Sequence, residues 1–461
     1  MSKLIFNHEM QDFISDLPDL ILHVIISHLS IEEVFRTSIL SKRWIHLWKS
    51  VSHFDFDCTR MVNPKKTDSS GKKRATKTDV MIYNNTVNHI LHQHKGNLIS
   101  GCFKHFRHQN GFEVLTSVEF LIERKRISSL SLECENLNRR LNIITKDYFK
   151  ARIFSNLSSL ELTNYKLEDS ILSAFESCER LKVLKLKNMF MVDTTINGIL
   201  QNCYGLEKFS LVKSKGFNSI KIENKSLKIL ELFWLNVGKI HVRVEDLQVL
   251  AIDSIICPPK DLRIYSENIR SFCSAYNPFD QRTQLRYNER NNILKTQDIL
   301  ENCSDLFKSQ PINIFRKLLT LSIDLDLNNI REVLALSYVL MSCSLLNTLK
   351  ITIPANKANK ASTSNITTDD DDDDDCALPY VKSMFWETRE MYYFELFENL
   401  KFVTLKGFTG KEQEVIFAKL LIARAYMMEK MHVICDSTIV DEAKDLLSLP
   451  RSSSRLSIIL E

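Results

Sequence analysis

Between His89 and His108 the chain reads HILHQHKGNLISGCFKHFRH and gathers His89, His92, His94, Cys102, His105 and His108. Imidazole and thiolate are common zinc ligands, so this crowd is the first place to look for chemistry. Its spacing argues against a metal. Cys102, His105 and His108 form C-x-x-H-x-x-H, which matches no standard zinc pattern, and strand residues three apart face opposite ways. The second candidate is Asp369–Asp375, seven consecutive aspartates. A calcium loop holds its carboxylates at set positions on a fixed backbone, which a homopolymer run does not supply, so a solvated loop is expected. No GxSxG, HExxH, GxxxxGKS/T or GxGxxG occurs, and ten glycines leave little material for phosphate loops. No catalytic residue, metal or cofactor is expected, and the protein is read as no enzyme.

At 461 residues the chain is too long for one ordinary core, so several domains or a repeat array must carry it. A formal net charge of +4 is near balance and does not indicate nucleic-acid binding, which needs a concentrated basic face. No apolar run approaches the length of a membrane span, and the N-terminus lacks a leader pattern. Eleven scattered cysteines without a CxxC pair suggest reduced thiols in the cytoplasm and/or nucleus. Lys65–Lys66 and Lys72–Arg74 resemble an import patch, although a solvated basic segment has the same composition.

The elements follow from periodicity. Residues 12–50 read as three short helices. Pro18 suits a first helical position, and Leu22, Ile25, Ile26 and Leu29 form one apolar face. Ser30 with Glu33 fits a capping box, and the last helix carries Trp44, Leu47 and Trp48. Residues 63–79 are polar and basic and read as a linker. Beyond it a helix near Val87–His94, a strand near Cys102–Phe106 and a helix near Phe112–Glu123 are expected.

A repeated hexamer then begins, apolar-x-x-apolar-x-apolar. It appears at Ile127/Leu130/Leu132, Leu157/Leu160/Leu162, Leu181/Leu184/Leu186, Leu206/Phe209/Leu211, Leu227/Leu230/Leu232 and Leu247/Leu250/Ile252. From Leu157 to Leu247 the starts are 24, 25, 21 and 20 residues apart, the period of leucine-rich repeats. Wider-spaced copies follow at Leu318, Leu346 and Leu400. In each, the two closing apolar residues point inward from a short strand and the residue between them points outward. Residues 354–377 interrupt the array with polar sequence expected to be disordered.

Residues 15–48 resemble an F-box: Leu17-Pro18-Asp19, Leu22, Ile25, Ile26, Leu29, Leu40-Ser41-Lys42-Arg43-Trp44 and Leu47-Trp48. The C-terminal part resembles the FBD region of plant F-box/leucine-rich-repeat proteins, at Phe397 to Leu405, Gly407-Phe408, Gly410, Glu429-Lys430-Met431 and LLSLPRSSSRLSIIL. The resemblance implies an α/β fold: a three-helix F-box, then a curved leucine-rich-repeat solenoid with an α/β FBD-like cap. The implied domains are 12–58 F-box, 63–79 linker, 80–353 repeats, 354–377 insertion, and 378–461 last repeat and FBD-like region.

It further implies a non-catalytic substrate-recognition subunit of an SCF-type cullin–RING ubiquitin ligase. Such a subunit docks on a Skp-type adaptor, and through it a cullin, and holds a target protein. The expected adaptor-binding residues are Leu17, Pro18, Leu22, Ile25, Leu29, Leu40, Trp44, Leu47 and Trp48. The outward strand positions Glu161, Lys185, Lys187, Ser210, Glu231 and Phe233 are expected to meet the target. Neither nucleic acid nor membrane is an expected partner. The alternative is a repeat scaffold for protein interaction whose F-box does not engage the ligase.

Overall fold

The computed structural model describes residues 14, 16–27, 29–37, 39–62, 66–67, 73–106, 112–135, 142–144, 149–266, 268–273, 315–354, 385–386, 393–435 and 443–461. His108 and the Asp369–Asp375 run lie outside them, as do 355–377 and most of 63–72. The chain divides into two compact units, residues 1–206 and 207–461.

The first unit opens with helices α1 (Asp19–Ser27), α2 (Ile31–Thr37) and α3 (Trp44–Leu47), followed by a 3-10 turn over Trp48–Ser50. Ser30 caps α2 as its spacing with Glu33 suggests: the Glu33 carboxylate accepts from both the N–H and the hydroxyl of Ser30 at 2.9 Å. Strands β1 (His53–Asp57), β2 (Ser100–His105), β3 (Ser129–Cys134), β4 (Ser159–Thr163) and β5 (Val183–Lys187) lie side by side in that order, all parallel. Helices α4 (Lys77–Gln93) and α5 (Phe112–Glu123) make the crossovers that parallel neighbours require.

The hexamers explain this sheet. In register, Leu130 lies beside Leu160 and Leu160 beside Leu184, and Leu132, Leu162 and Leu186 form the next rung. All six are at most 1% exposed. Each such leucine contributes about 1.5–3 kcal/mol by leaving water, and stacking like on like gives every repeat the same rung to build on. Cys178 and Cys203, which recur in phase three residues before a repeat's first leucine, are also fully buried.

The described residues that flank the segment 63–79 are already bonded to one another. Helix α4 begins within it, because Thr76 and Asp79 close a capping box. The strand before it, β1, already belongs to the sheet. The Lys49 carbonyl accepts from the N–H groups of Lys95 and Gly96 at 2.7 and 3.0 Å, and that of Ser52 accepts from Ile99 at 2.7 Å. The buried ring of His94 donates from Nε2 to the Val51 carbonyl at 2.8 Å, and burial lowers its pKa. A Cβ at Gly96 would stand 2.7 Å from the Cα of Ser50, so the two chain segments touch backbone to backbone. Among the described residues, the helical module is thus bonded directly to the start of the sheet.

The second unit repeats the logic. Its larger sheet contains β6 (Lys208–Val212), β8 (Ile229–Phe233), β10 (Val249–Asp253), β12 (Ser271–Cys273), β13 (Thr320–Asp324), β14 (Thr348–Thr352), β15 (Phe402–Phe408), β16 (Lys430–Cys435) and β17 (Ser457–Leu460), adjacent in that order and parallel. A smaller parallel sheet joins β7 (Ser219–Ile222), β9 (Lys239–Arg243) and β11 (Leu262–Tyr265).

Residues following several strands take left-handed backbone: Asn164, Asn188, Lys213, Trp234 and Ser254 all have φ between 50 and 70°. Asparagine suits this conformation, and here it also bonds along the repeats. Asn188 Nδ2 donates to Asn164 Oδ1, and Asn164 Nδ2 to the Cys134 carbonyl, both at 2.7 Å.

The FBD-like residues have local reasons too. Gly407 interrupts β15 with a bulge at φ +76°, and a Cβ there would run into the Ile353 carbonyl oxygen. Beyond it the fully buried carboxylate of Glu414, in helix α6 (Glu412–Arg424), accepts from Thr409 N–H and Oγ1 at 2.7 Å and from Asn328 Nδ2 at 3.0 Å. Gly407→Ala is expected to destabilise the protein by on the order of 2 kcal/mol, because it adds left-handed strain to a backbone clash. Chemical denaturation should show that loss, and an unchanged midpoint would contradict the role given to the glycine.

Candidate protein-interaction surfaces

Helix α1, DLILHVIIS, is apolar on two faces beside the polar stripe of Asp19, His23 and Ser27. In a surface helix that composition is useful only if two faces are covered. Leu22 and Ile26 supply one, at 0 and 1% exposure. Leu20 and Val24, one turn apart, are 78 and 57% exposed, and Ile21 and Ile25 beside them are also exposed. The turn between α2 and α3 exposes Ile39 and Leu40. Contiguous apolar surface of this kind marks a place where another chain docks.

The expected docking residues divide accordingly. Pro18, Ile25 and Leu40 are exposed, and Leu17 and Leu29 are half-buried. Leu22, Trp44, Leu47 and Trp48 are instead buried inside the module, at 5% exposure or less, where they hold it together. Trp48 packs on Phe35 with ring centroids 5.0 Å apart. The tryptophans are therefore covered without a partner. Leu20, Ile21, Val24 and Ile39 were missed. The signal for the first three was present, since residues 20–26 hold two apolar faces and only one was read.

Polar contacts join the two ends of the motif. Arg43 Nε donates to Asp19 Oδ1 and Arg43 Nη2 to the Leu17 carbonyl, both at 2.6 Å. Both side chains are well exposed, so the ion pair contributes under about 1 kcal/mol, and its effect is to fix where α1 starts.

The outward strand residues are less available than alternation alone suggests. In the first unit Lys185 Nζ stands 3.4 Å from Glu161 Oε2, the in-register neighbour across the strands, while Lys187 is exposed. In the second, Lys208 Nζ stands 2.5 Å from Glu231 Oε1. Ser210 is buried at 6% exposure and has no free surface to offer. Phe233 is half-buried, its ring 6.1 Å from that of Trp234, over which Lys213 Nζ lies at 4.6 Å. The aromatic that alternation puts outward is thus partly covered by its own neighbour.

The histidines and cysteine considered for zinc are dispersed among other duties. His94 bonds Val51, and His105, also buried, bonds the Phe106 carbonyl at 2.9 Å and the Tyr165 hydroxyl at 2.5 Å. His89 is exposed and bonds Gln93, and Cys102 is half-buried on β2. Among the described residues no helix is long and apolar enough to cross a membrane.

Residues 14–56 match the F-box domain, and residues 119–251 match the leucine-rich repeats of the FBD-associated F-box protein At5g56370 family. The chain is 28% identical to the F-box protein At1g80960 of Arabidopsis thaliana over 92% of its own length and 83% of that protein's. It is 24% identical to the F-box/FBD/LRR-repeat protein At5g53840 of the same plant, over 98 and 95%. With the Arabidopsis F-box protein At5g03100 it shares 31% identity over 62% of this chain and 87% of that one.

The division of α1 into two faces has a direct test in stability. Trp48→Ala is expected to cost about 3–5 kcal/mol, as large buried truncations do. Leu20→Ser with Val24→Ser should cost less than about 1 kcal/mol, since neither residue is packed. Equal losses for the two variants in urea denaturation would contradict the assignment of the two faces.

Proposed function

Since the chain belongs to the plant F-box protein family, in the group with leucine-rich repeats and an FBD region, we propose that it is the substrate-recognition subunit of an SCF-type cullin–RING ubiquitin ligase. The family suggests a substrate-adaptor role in general terms, and F-box/LRR proteins are typically non-catalytic receptors. The finer reading rests on one observation above the rest: the exposed apolar face of Leu20, Ile21, Val24 and Ile25 lies inside the segment that matches the F-box.

In this reading Pro18, the outer face of α1, Ile39 and Leu40 dock on a Skp-type adaptor, and through it on a cullin. Leu22, Trp44, Leu47 and Trp48 serve binding indirectly, by keeping that face in shape. The repeat region, with the FBD-like region, holds the target. Glu161, Lys185 and Lys187 on the first unit, and Glu231 and Phe233 on the second, are the outward positions offered to it. The subunit does no chemistry. It raises the effective concentration of target lysines near the charged conjugating enzyme, and geometry is what it contributes. Direct bonding of Lys49 and Ser52 to residues 95–99 supports this, because a loosely tethered module would let the first unit wander. The place of work is the cytoplasm and/or nucleus, where such ligases operate.

The test is co-purification with a Skp-type adaptor. Leu17→Ala with Pro18→Ala should abolish adaptor capture while circular dichroism shows the repeats still folded. The same preparations, with Lys185→Glu and Phe233→Ala made separately, report on target capture, which should fall while adaptor capture stays. Undiminished adaptor binding by the Leu17/Pro18 variant would remove the docking assignment. If the wild-type chain captures no adaptor, the scaffold reading takes its place.

A further inference from the structure

The smaller sheet of the second unit carries a charge pattern that the surfaces above do not use. Its strands SIKI, KIHVR and LRIY alternate strictly. Ile220, Ile222, Ile240, Val242, Leu262 and Ile264 face inward, each at most 2% exposed. The pleat therefore sends Lys221, Lys239, His241, Arg243, Arg263 and Tyr265 to the other face. Register sets them in rows: Lys221 beside His241 beside Arg263, and Arg243 beside Tyr265. With strands about 4.8 Å apart, the first row spans roughly 10 Å.

The four lysines and arginines and Tyr265 are exposed, and His241 is half-buried with its ring 5.8 Å from that of Tyr265. The carboxylate on this face is Glu223, whose Oε2 lies 2.7 Å from Lys221 Nζ and whose Oε1 lies 3.9 Å from His241 Nε2. Asp261 precedes β11 at the margin. Lys239, Arg243 and Arg263 form no ion pair within salt-bridge distance among the described residues. That the cations converge is visible at His241: burial lowers its pKa, and Lys221, Lys239 and Arg263 lower it further against the opposing pull of Glu223.

We propose that this sheet face docks an acidic peptide segment of a partner protein. Unpaired guanidinium groups are the side chains best shaped for carboxylates, which they bind through two parallel hydrogen bonds. An extended peptide crossing the strands presents same-side carboxylates about 7 Å apart, so two fall within the width of the longer row. Nucleic acid fits less well, since the face offers four fixed cations and tight binding takes roughly six to ten phosphate contacts. The proposal stands apart from ligase membership, because the binding needs no adaptor.

The test uses the full chain and a fluorescein-labelled peptide of ten glutamates, with binding read by fluorescence anisotropy at two salt concentrations. The wild type should bind, and less tightly as salt rises. Arg243→Glu with Arg263→Glu should weaken binding by about tenfold or more, and Arg243→Gln with Arg263→Gln by about threefold, with melting curves showing all variants folded. Arg124→Glu, an exposed charge reversal in the other unit, should change little. The proposal is overturned if the wild type does not bind, if the reversal leaves affinity unchanged, or if Arg124→Glu matches its effect. Tighter binding of a ten-nucleotide single-stranded RNA, lost in the same variants, would assign the face to nucleic acid instead. A background with Asp369–Asp375 changed to asparagine should behave like the wild type. A gain there of about tenfold would make the chain's own acidic run the occupant and overturn the partner assignment.

Discussion

Everything in the first unit is built on one constraint, the in-register stacking of parallel strands with the same apolar rung inward at every step. Leu130, Leu160 and Leu184 repeat one position, and a strand that slipped by one residue would turn leucines out and serines in. Register is therefore held by burial, and the outward residues align because the inward ones must. The ladder does not begin at the first leucine hexamer. It begins at His53–Asp57, all but the last residue of which lies in the segment that matches the F-box. The helical module thus inherits its place from the same stacking that builds the repeats, and Lys49, Val51 and Ser52 bond it down.

That connection gives the module its division of labour. A helix such as α1 can expose Leu20 and Val24 without collapsing because Leu22 and Ile26 fix its other side against a core that contains both tryptophans. Exposed apolar surface costs solubility, and a protein keeps it where something binds. A rigid core beneath such a face lets a partner dock on a shape already formed, so less ordering entropy is lost on binding.

The strands were legible because their signal is redundant. Nine hexamers of the same form predicted inward positions that the structure buries to within 1% exposure. The capping box at Ser30 and the helices near Val87–His94 and Phe112–Glu123 were equally plain, each resting on local chemistry. What escaped depends on who touches whom. Polar composition at 63–79 cannot distinguish a spacer from an excursion between two elements already joined. A buried tryptophan and an interface tryptophan have the same sequence. Ser210 follows the outward alternation and is covered all the same, and Glu161 and Glu231 already have lysine neighbours one strand away. The smaller sheet carries no hexamer to mark it, since KIHVR alternates as cleanly as any but β9 falls between the beats of the leucine period. The left-handed residues after the strands had asparagine as a clue at Asn164 and Asn188, but no clue at Lys213 or Trp234.

The central claim is that a partner docks on the outer face of α1 while the tryptophans beneath it stay a closed core. Hydrogen exchange of the full chain, with and without a Skp-type adaptor, tests it most directly. The account predicts new protection on adding the adaptor over Leu20–Ser27 and around Ile39–Leu40, with Trp44–Trp48 already protected in the free chain. Protection of Trp44–Trp48 that appears only with the adaptor, or new protection confined to the strands, would contradict it.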